Sequence, residues 1–409
     1  MRAILLQKNF KNYGFSISIG TLAASLLSLA VYWYVLETTE SVTALAVTGF
    51  VQSLPAIFSL LVSKYADKYN PQIIMVFSDL LRGTMTVLIL LNIFTFKSIA
   101  IIIVLNMLVE FAELTHTSST TSIIPSLVSD KNIEKGVGTS NAIISISELI
   151  GVGLGGVLYE TFGSTFLFAA VIVLFCIAVF YGLRIQFKNE LINSAEIKEN
   201  QDEQDTDVLG EKEKISGTLH YIKSNRLLLR IILVSLVVNI AFAAFDIVLT
   251  VHVYSYLGQG AQVYGLMSGA LMAGMILGSI LIGNIAQRLS ISKIVLFGFI
   301  ITGTLLILLG LISIWVISLF LTFCIGLFMA LIDSSIDSWC LRIIPESIRG
   351  SVLNMLTAMF SISLPAGSAL FGFLLGIMNS TYLFMIMGAI VLIGIILFTI
   401  TGKKLVKEY

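Results

Sequence analysis

Twelve apolar runs follow one another along the chain, at 14–36, 42–62, 73–95, 98–124, 137–159, 164–183, 227–253, 263–285, 291–314, 315–341, 352–377 and 382–401. Each reaches the roughly 20 residues that a helix needs to cross a ~30 Å hydrocarbon core. Strands of a membrane barrel are short and alternate in polarity, and these runs do neither, so helices are implied. With 57% hydrophobic and 12% charged residues, the 409-residue chain holds too few polar side chains to coat a water-soluble globule. The expected class is an all-α membrane protein.

The chain also repeats itself. Ile123-Ile124-Pro125 recurs as Ile343-Ile344-Pro345, an offset of 220 (345 − 125), and the segment starting at Ser63 recurs more loosely from Gly283 at the same offset. That offset lays 42–62 on 262–282, 73–95 on 293–315 and 98–124 on 318–344. Two homologous six-helix bundles are therefore expected at 1–183 and 227–409, joined by a cytoplasmic linker at 184–226. The middle of that linker, 190–214, mixes charges of both signs without apolar periodicity, and a short surface helix is expected near 215–222. Duplicated halves built from membrane-length segments are the architecture of secondary transporters, with the site between the halves.

Zero net charge hides an asymmetry. With the N-terminus inside, 22 of the 24 Lys and Arg fall on cytoplasmic segments, leaving Arg82 within a span and Lys97 outside. Both termini are then cytoplasmic. The outer loops carry Glu37, Glu40 and Glu160, and Tyr32-Trp33-Tyr34 falls where an interfacial aromatic belt would lie. The first run has full spanning length and no small-residue cleavage site, so it is expected to stay as the first helix. Cys176, Cys324 and Cys340 show no metal spacing and need no disulfide. Gly265, Gly269, Gly274, Gly278 and Gly283 punctuate the eighth run, where they would let neighbouring backbones approach.

Several motifs resemble the major facilitator superfamily. Ser63-Lys64-Tyr65-Ala66-Asp67-Lys68-Tyr69-Asn70 is similar to its Gly-x-x-x-Asp-Arg-x-Gly loop, departing at Ser63, Asn70, Pro71 and Gln72. The resemblance implies a conformational latch at Asp67 and Lys68, the aspartate facing the N-terminus of the eleventh helix, where a carboxylate is favoured. The competing reading is a charged turn that sets topology. In the fifth run, Gly151-Val152-Gly153-Leu154-Gly155-Gly156 resembles an antiporter motif, Val152 replacing its proline, with Gly151, Gly155 and Gly156 carried over. Together with Ser78-Asp79-Leu80-Leu81-Arg82 and Ile124-Pro125-Ser126-Leu127-Val128, these features most resemble the macrolide-efflux-like group of drug:proton antiporters. The fold so implied has twelve transmembrane helices in two six-helix repeats.

Acids inside the runs mark the chemistry, because a carboxylate at bilayer depth costs about 2.5 kcal/mol or more and is kept mainly for pairing or function. Asn106, Glu110, Glu113, Thr117 and Thr120 form one polar stripe along the fourth run. Asp333 and Asp337 lie one turn apart in the tenth, Asp333 at the repeat partner of Glu113, while Asn239 and Asp246 share a face of the seventh. The superfamily resemblance turns these helices toward a central cavity. Apart from Arg230 and Lys293 at the cytoplasmic ends of their runs, the basic partners within the runs are Arg82, His116 and His252, so the surplus carboxylates are candidates for proton exchange or cation attraction. The plainer alternative pairs Glu113 with Arg82 or His116 and anchors Asp337 near Arg342 or Arg349. Asp79 and Arg82, three apart, are expected to form an internal ion pair. Many relatives carry a coupling arginine in the fourth helix; Val109 stands there, leaving Glu110 or Arg82 as its substitute. Glu148 is a further acid in the fifth run.

The expected function is proton-driven export of an amphipathic small molecule of drug or antibiotic type, by alternating access, from a monomer in the plasma membrane. Alternatives are transport of a native metabolite such as a siderophore or nutrient and, from another class, a non-transporting receptor or accessory protein. No enzyme motif, metal or cofactor site, nucleic-acid feature or ATP-binding element is recognised, so the expected partners are substrate, proton and bilayer.

Overall fold

The computed structural model describes residues 8–59, 61–62, 69–129, 132–186, 221–222 and 224–402. Asp67 and Lys68, the expected latch, lie outside the described residues, as do residues 187–220 of the expected linker, including most of its surface helix.

Among the described residues nine helices are long and apolar enough to cross a membrane; one of them, Ile133–Leu183, is two spans broken at Gly163, and two shorter apolar helices, Val42–Phe58 and Ser380–Gly394, complete the twelve. In chain order they are α1 (Lys8–Thr39), α2 (Val42–Ser53, continued by a 3-10 turn, Leu54–Phe58), α3 (Pro71–Phe94), α4 (Ile99–Ser122), and α5 and α6 on either side of Gly163. Then come α7 (Arg226–Phe242, resumed as Phe245–Val251 and a π-helical turn, His252–Tyr256), α8 (Ala261–Ile285), α9 (Ile291–Leu311), α10 (Trp315–Ile343), α11 (Glu346–Leu375) and α12 (Ser380–Gly402). The described helices are those of an all-helical, multi-pass membrane protein.

Local sequence sets the helix limits. Asn70 caps α3 by accepting from the Gln72 amide at 2.9 Å, and Pro71 opens the helix where its missing N–H costs nothing. Gly163 turns the chain between α5 and α6 at φ 80°, a left-handed conformation that favours glycine.

Contacts divide the chain into unit 1, Met1–Thr38 with Val51–Val208, and unit 2, Thr39–Phe50 with Leu209–Tyr409. The same helix pairs close each unit. In unit 1, α1 meets α5 through Ser18 and Ser147, 2.8 Å apart, and through Gly151, where a Cβ would lie 2.7 Å from Ser25 Cβ and 3.0 Å from the Leu22 carbonyl. In unit 2, α7 meets α11 where Gly367 packs on the Ile240 carbonyl and Ser368 donates to the Ala243 carbonyl at 3.2 Å. Gly83 brings α3 onto Phe175 of α6, and Gly303, 220 positions later, brings α9 onto Leu392 of α12. Glycine spacing also fixes α8 against α10: side chains at Gly274 and Gly278 would run into the backbone at Phe323 and Leu327, and one at Gly326 into the Leu271 carbonyl.

The expected aromatic belt is corrected. Tyr32, Trp33 and Tyr34 are at most 9% exposed, and Tyr34 stands edge-on to Phe168 at 6.1 Å. They are core residues because α1 is enclosed on all its faces here, every residue from Leu29 to Leu36 being buried.

Candidate functional site

Unit 1 buries an arginine. Arg82 stands eleven residues beyond Pro71 in α3, which at 1.5 Å per residue is ~16 Å along the helix, about half of a ~30 Å core. Its side chain is fully buried and is held by Asp79 on its own helix and by Glu113 on α4. The guanidinium also lies over the Phe175 ring at 4.9 Å, a cation–π contact strengthened by the burial of the arginine. Gly20 of α1 covers the pair: a Cβ there would sit 3.3 Å from Asp79 Oδ1 and 3.6 Å from Arg82 Nη2. His116 Nε2 is 3.5 Å from the same Asp79 oxygen. Even so, Arg82 Nε and Asp79 Oδ2 find no hydrogen-bond partner among the described residues, so the pair is incompletely compensated for its desolvation.

The stripe on α4 splits by partner. Asn106 is buried; Glu110 accepts a 2.6 Å hydrogen bond from Gln52 Nε2 of α2; Glu113 accepts from Arg82 and, at 3.3 Å, from Thr117. Thr120 is buried, and its carbonyl accepts from Tyr13 of α1 at 2.9 Å. Thus one guanidinium faces two carboxylates directly, while Glu110 nearby is held by a neutral amide. Glu148 is half-buried in α5. Gly151 and Gly155 bear on Ser25 and on Leu26 and Leu29 of α1, and Gly156 is buried. Val109, at the position of the relatives' arginine, is 4% exposed.

Unit 2 holds a cavity of about 320 Å³ among α7, α9, α10, α11 and α12. Asp333 and Asp337 line it, with Asn239, Thr302, Phe299 and Ile336. Asn239 donates to the Ser235 carbonyl at 2.9 Å, so its side-chain oxygen is left to accept from elsewhere. Arg349 donates to the Ile344 carbonyl at 3.4 Å. Asp246 is not part of the lining: α7 is interrupted at Ala243 and Ala244, and Asp246 stands exposed in the first turn of the resumed helix. The structure therefore brings Asp79, Arg82, Glu113 and Glu110 into one neighbourhood of unit 1, and Asp333 with Asp337 into one pocket of unit 2.

Sequence reasoning missed Gln52, Phe175 and Gly20. A lone amide in an apolar run could have flagged Gln52; Phe175 and Gly20 carry no signal apart from the packing itself.

A family model described as transmembrane secretion effector matches residues 3–407. The chain is similar to an uncharacterized MFS-type transporter of Bacillus subtilis (strain 168), YkuC, at 23% identity over 418 residues, covering 98% of this chain and 94% of that relative. Among solved structures, it is similar to a point mutant of the nucleoside transporter NupG, with TM-score 0.73 and 10% identity over 96% of this chain and 100% of the other. A bacterial homologue of the iron transporter ferroportin in its inward-facing state is similar at TM-score 0.72 and 12% identity, over 97% and 99% of the two chains.

Proposed function

This chain belongs to the transmembrane secretion effector family of the major facilitator superfamily, and we propose that it is a proton-driven exporter of amphipathic small molecules. The observation that carries the coupling is the imbalance around Arg82: three carboxylates, Asp79, Glu110 and Glu113, share a membrane-embedded neighbourhood with one guanidinium. Asp79 and Glu113 compete for Arg82, and Glu110 has Gln52. Moving one proton onto Glu113 weakens its hold on the arginine and so changes the tie between α3 and α4, while a proton on Glu110 changes the charge beside that pair. Such a local exchange is the kind of bistable element that can couple a proton to alternating access. Expulsion rather than uptake is supported by the family's description and by the antiporter-like glycines of α5.

Asp333 and Asp337 supply negative charge in unit 2, which favours cationic or neutral cargo over unaccompanied anions. A native metabolite is the second reading, favoured by the size of that pocket: about 320 Å³ is at the small end of sites for drug-sized ligands. The cytoplasmic termini and linker, the monomeric state, the plasma membrane and the latch at Asp67 and Lys68 complete the proposal.

Inside-out vesicles with an imposed pH gradient test it. Glu110→Gln and Glu113→Gln, each inserted at wild-type levels, are expected to lose gradient-driven accumulation while downhill movement persists, since the neutral amide mimics the protonated acid. Full gradient-driven accumulation by the double variant refutes the coupling.

A further inference from the structure

The two halves fill one repeat-equivalent place differently. In unit 1 it holds the Arg82 side chain, with Asp79 and Glu113 as partners and His116 and Thr117 alongside. Adding the offset of 220 gives Thr302 for Arg82, Phe299 for Asp79, Asp333 for Glu113, Ile336 for His116 and Asp337 for Thr117. All five of these residues line the unit 2 cavity. The packing confirms the register, because Gly83 and Gly303, the next residues after Arg82 and Thr302, each seat their helix on the last helix of its own unit. The cavity is thus the volume that an arginine occupies in the first half, with an acid retained opposite it and the guanidinium gone.

What is left has the donors and acceptors for a cation. Thr302 is 1% exposed, and its hydroxyl oxygen has no hydrogen-bond partner among the described residues. A buried, unsatisfied hydroxyl at the cavity wall costs about 1–3 times the energy of an ordinary net hydrogen bond, unless a guest supplies the partner. Asp333 and Asp337 supply charge, and Phe299 stands where Asp79 stands in unit 1, offering a ring in place of the second carboxylate. We infer that this cavity binds the guanidinium or primary ammonium head of an organic cation, which takes the place that Arg82 fills in unit 1. A metal ion fits less well: among the described residues no group of three or more His, Cys, Asp or Glu is arranged to hold one, and the cavity is large for a bare ion. That the cation is the exporter's cargo rests on the transport function proposed above; its binding does not.

Titration of the purified full chain in nanodiscs with methylguanidinium chloride, without any proton gradient, tests the site. Saturable binding is expected, weakened about ten- to a hundredfold by Asp333→Asn, the loss of one charge-assisted contact. Thr302→Arg rebuilds the unit 1 arrangement, so it should abolish binding and raise thermal stability in the absence of ligand. Should Thr302→Arg fail to fold, Thr302→Met tests occlusion without charge and should abolish binding likewise. Unchanged affinity in Asp333→Asn, binding that survives occlusion, no binding by the wild-type protein, or calcium binding in preference to methylguanidinium would each overturn the assignment. Because no gradient is present, failure of proton coupling leaves this readout untouched.

Discussion

Replacing Arg82 by methionine keeps the length of an unbranched side chain and removes the guanidinium that, among the described residues, faces Asp79 and Glu113. Breaking a buried ion pair from one side costs about 3–5 kcal/mol, because the charge left behind has no compensation. Two charge-assisted contacts at ~1.5–3 kcal/mol each give the same range. At the 2–4 °C per kcal/mol typical of a domain of unit 1's size, the unfolding midpoint in detergent should fall by roughly 10 °C. The two acids should not contribute equally. Asp79 is fully buried, whereas Glu113 keeps 34% of its side chain exposed and can be solvated where it stands. Adding Asp79→Asn to Arg82→Met should therefore recover most of the lost stability, and adding Glu113→Gln should recover less. The assay is a thermal melt of the purified variants followed by intrinsic fluorescence, read as a double-mutant cycle. An Arg82→Met protein as stable as wild type, or a larger rescue from Glu113→Gln than from Asp79→Asn, refutes the placement of the charge.

Gln52→Leu removes the amide that holds Glu110 and should lower gradient-driven export about tenfold, the equivalent of one hydrogen bond to a charged group, with insertion into the membrane unchanged; vesicle transport measures it. Gly274→Ala should destabilise unit 2 by about 1–3 kcal/mol, because the added methyl meets backbone that cannot turn aside, whereas Gly283→Ala meets nothing within 4 Å and should be neutral in the same melt. Gly163→Ala should cost about 1–2 kcal/mol through its left-handed backbone alone, since the space around it is open. Reporter fusions within 187–220 should be active only on the cytoplasmic face; activity on the outer face would reverse the proposed topology.

Much of this structure is written in hydrophobic length and in one repeat offset. Run lengths give the spans, since lipid requires each crossing to satisfy its own backbone, and α3 and α9 begin at Pro71 and Ile291, 220 positions apart. Helix breaks depend on single residues and are harder to read. Gly163 announces itself as a glycine between two runs, but Ala243 and Ala244 interrupt α7 with no Gly or Pro, so nothing in the sequence signals the break that separates Asn239 from Asp246. The aromatic triad misled because amphipathic rings suit both an interface and a core, and the enclosure of α1 on every face from Leu29 to Leu36 decided for the core.

Partner choice at the site shows the same limit. Periodicity places Asn106, Glu110, Glu113, Thr117 and Thr120 on one stripe, and every acid of the Arg82 neighbourhood can be named from the sequence. Which neutral residue holds Glu110 cannot, because Gln52 is 58 positions away and only the approach of α2 to α4 joins them. The repeat adds one step that neither half gives alone. A duplicated bundle inherits the same helix contacts, so wherever one copy buries a large charged side chain and the other has a small one, the second copy must collapse, fill the gap with a neighbour, or keep a cavity. Thr302 is too small to replace Arg82, Asp333 is retained, and the wall stays polar through a hydroxyl with no partner among the described residues. Collapse would bring an uncompensated carboxylate into apolar packing, which costs more than keeping the space open. The cavity of unit 2 therefore follows from the arginine of unit 1, and its charge from the acid that both halves share.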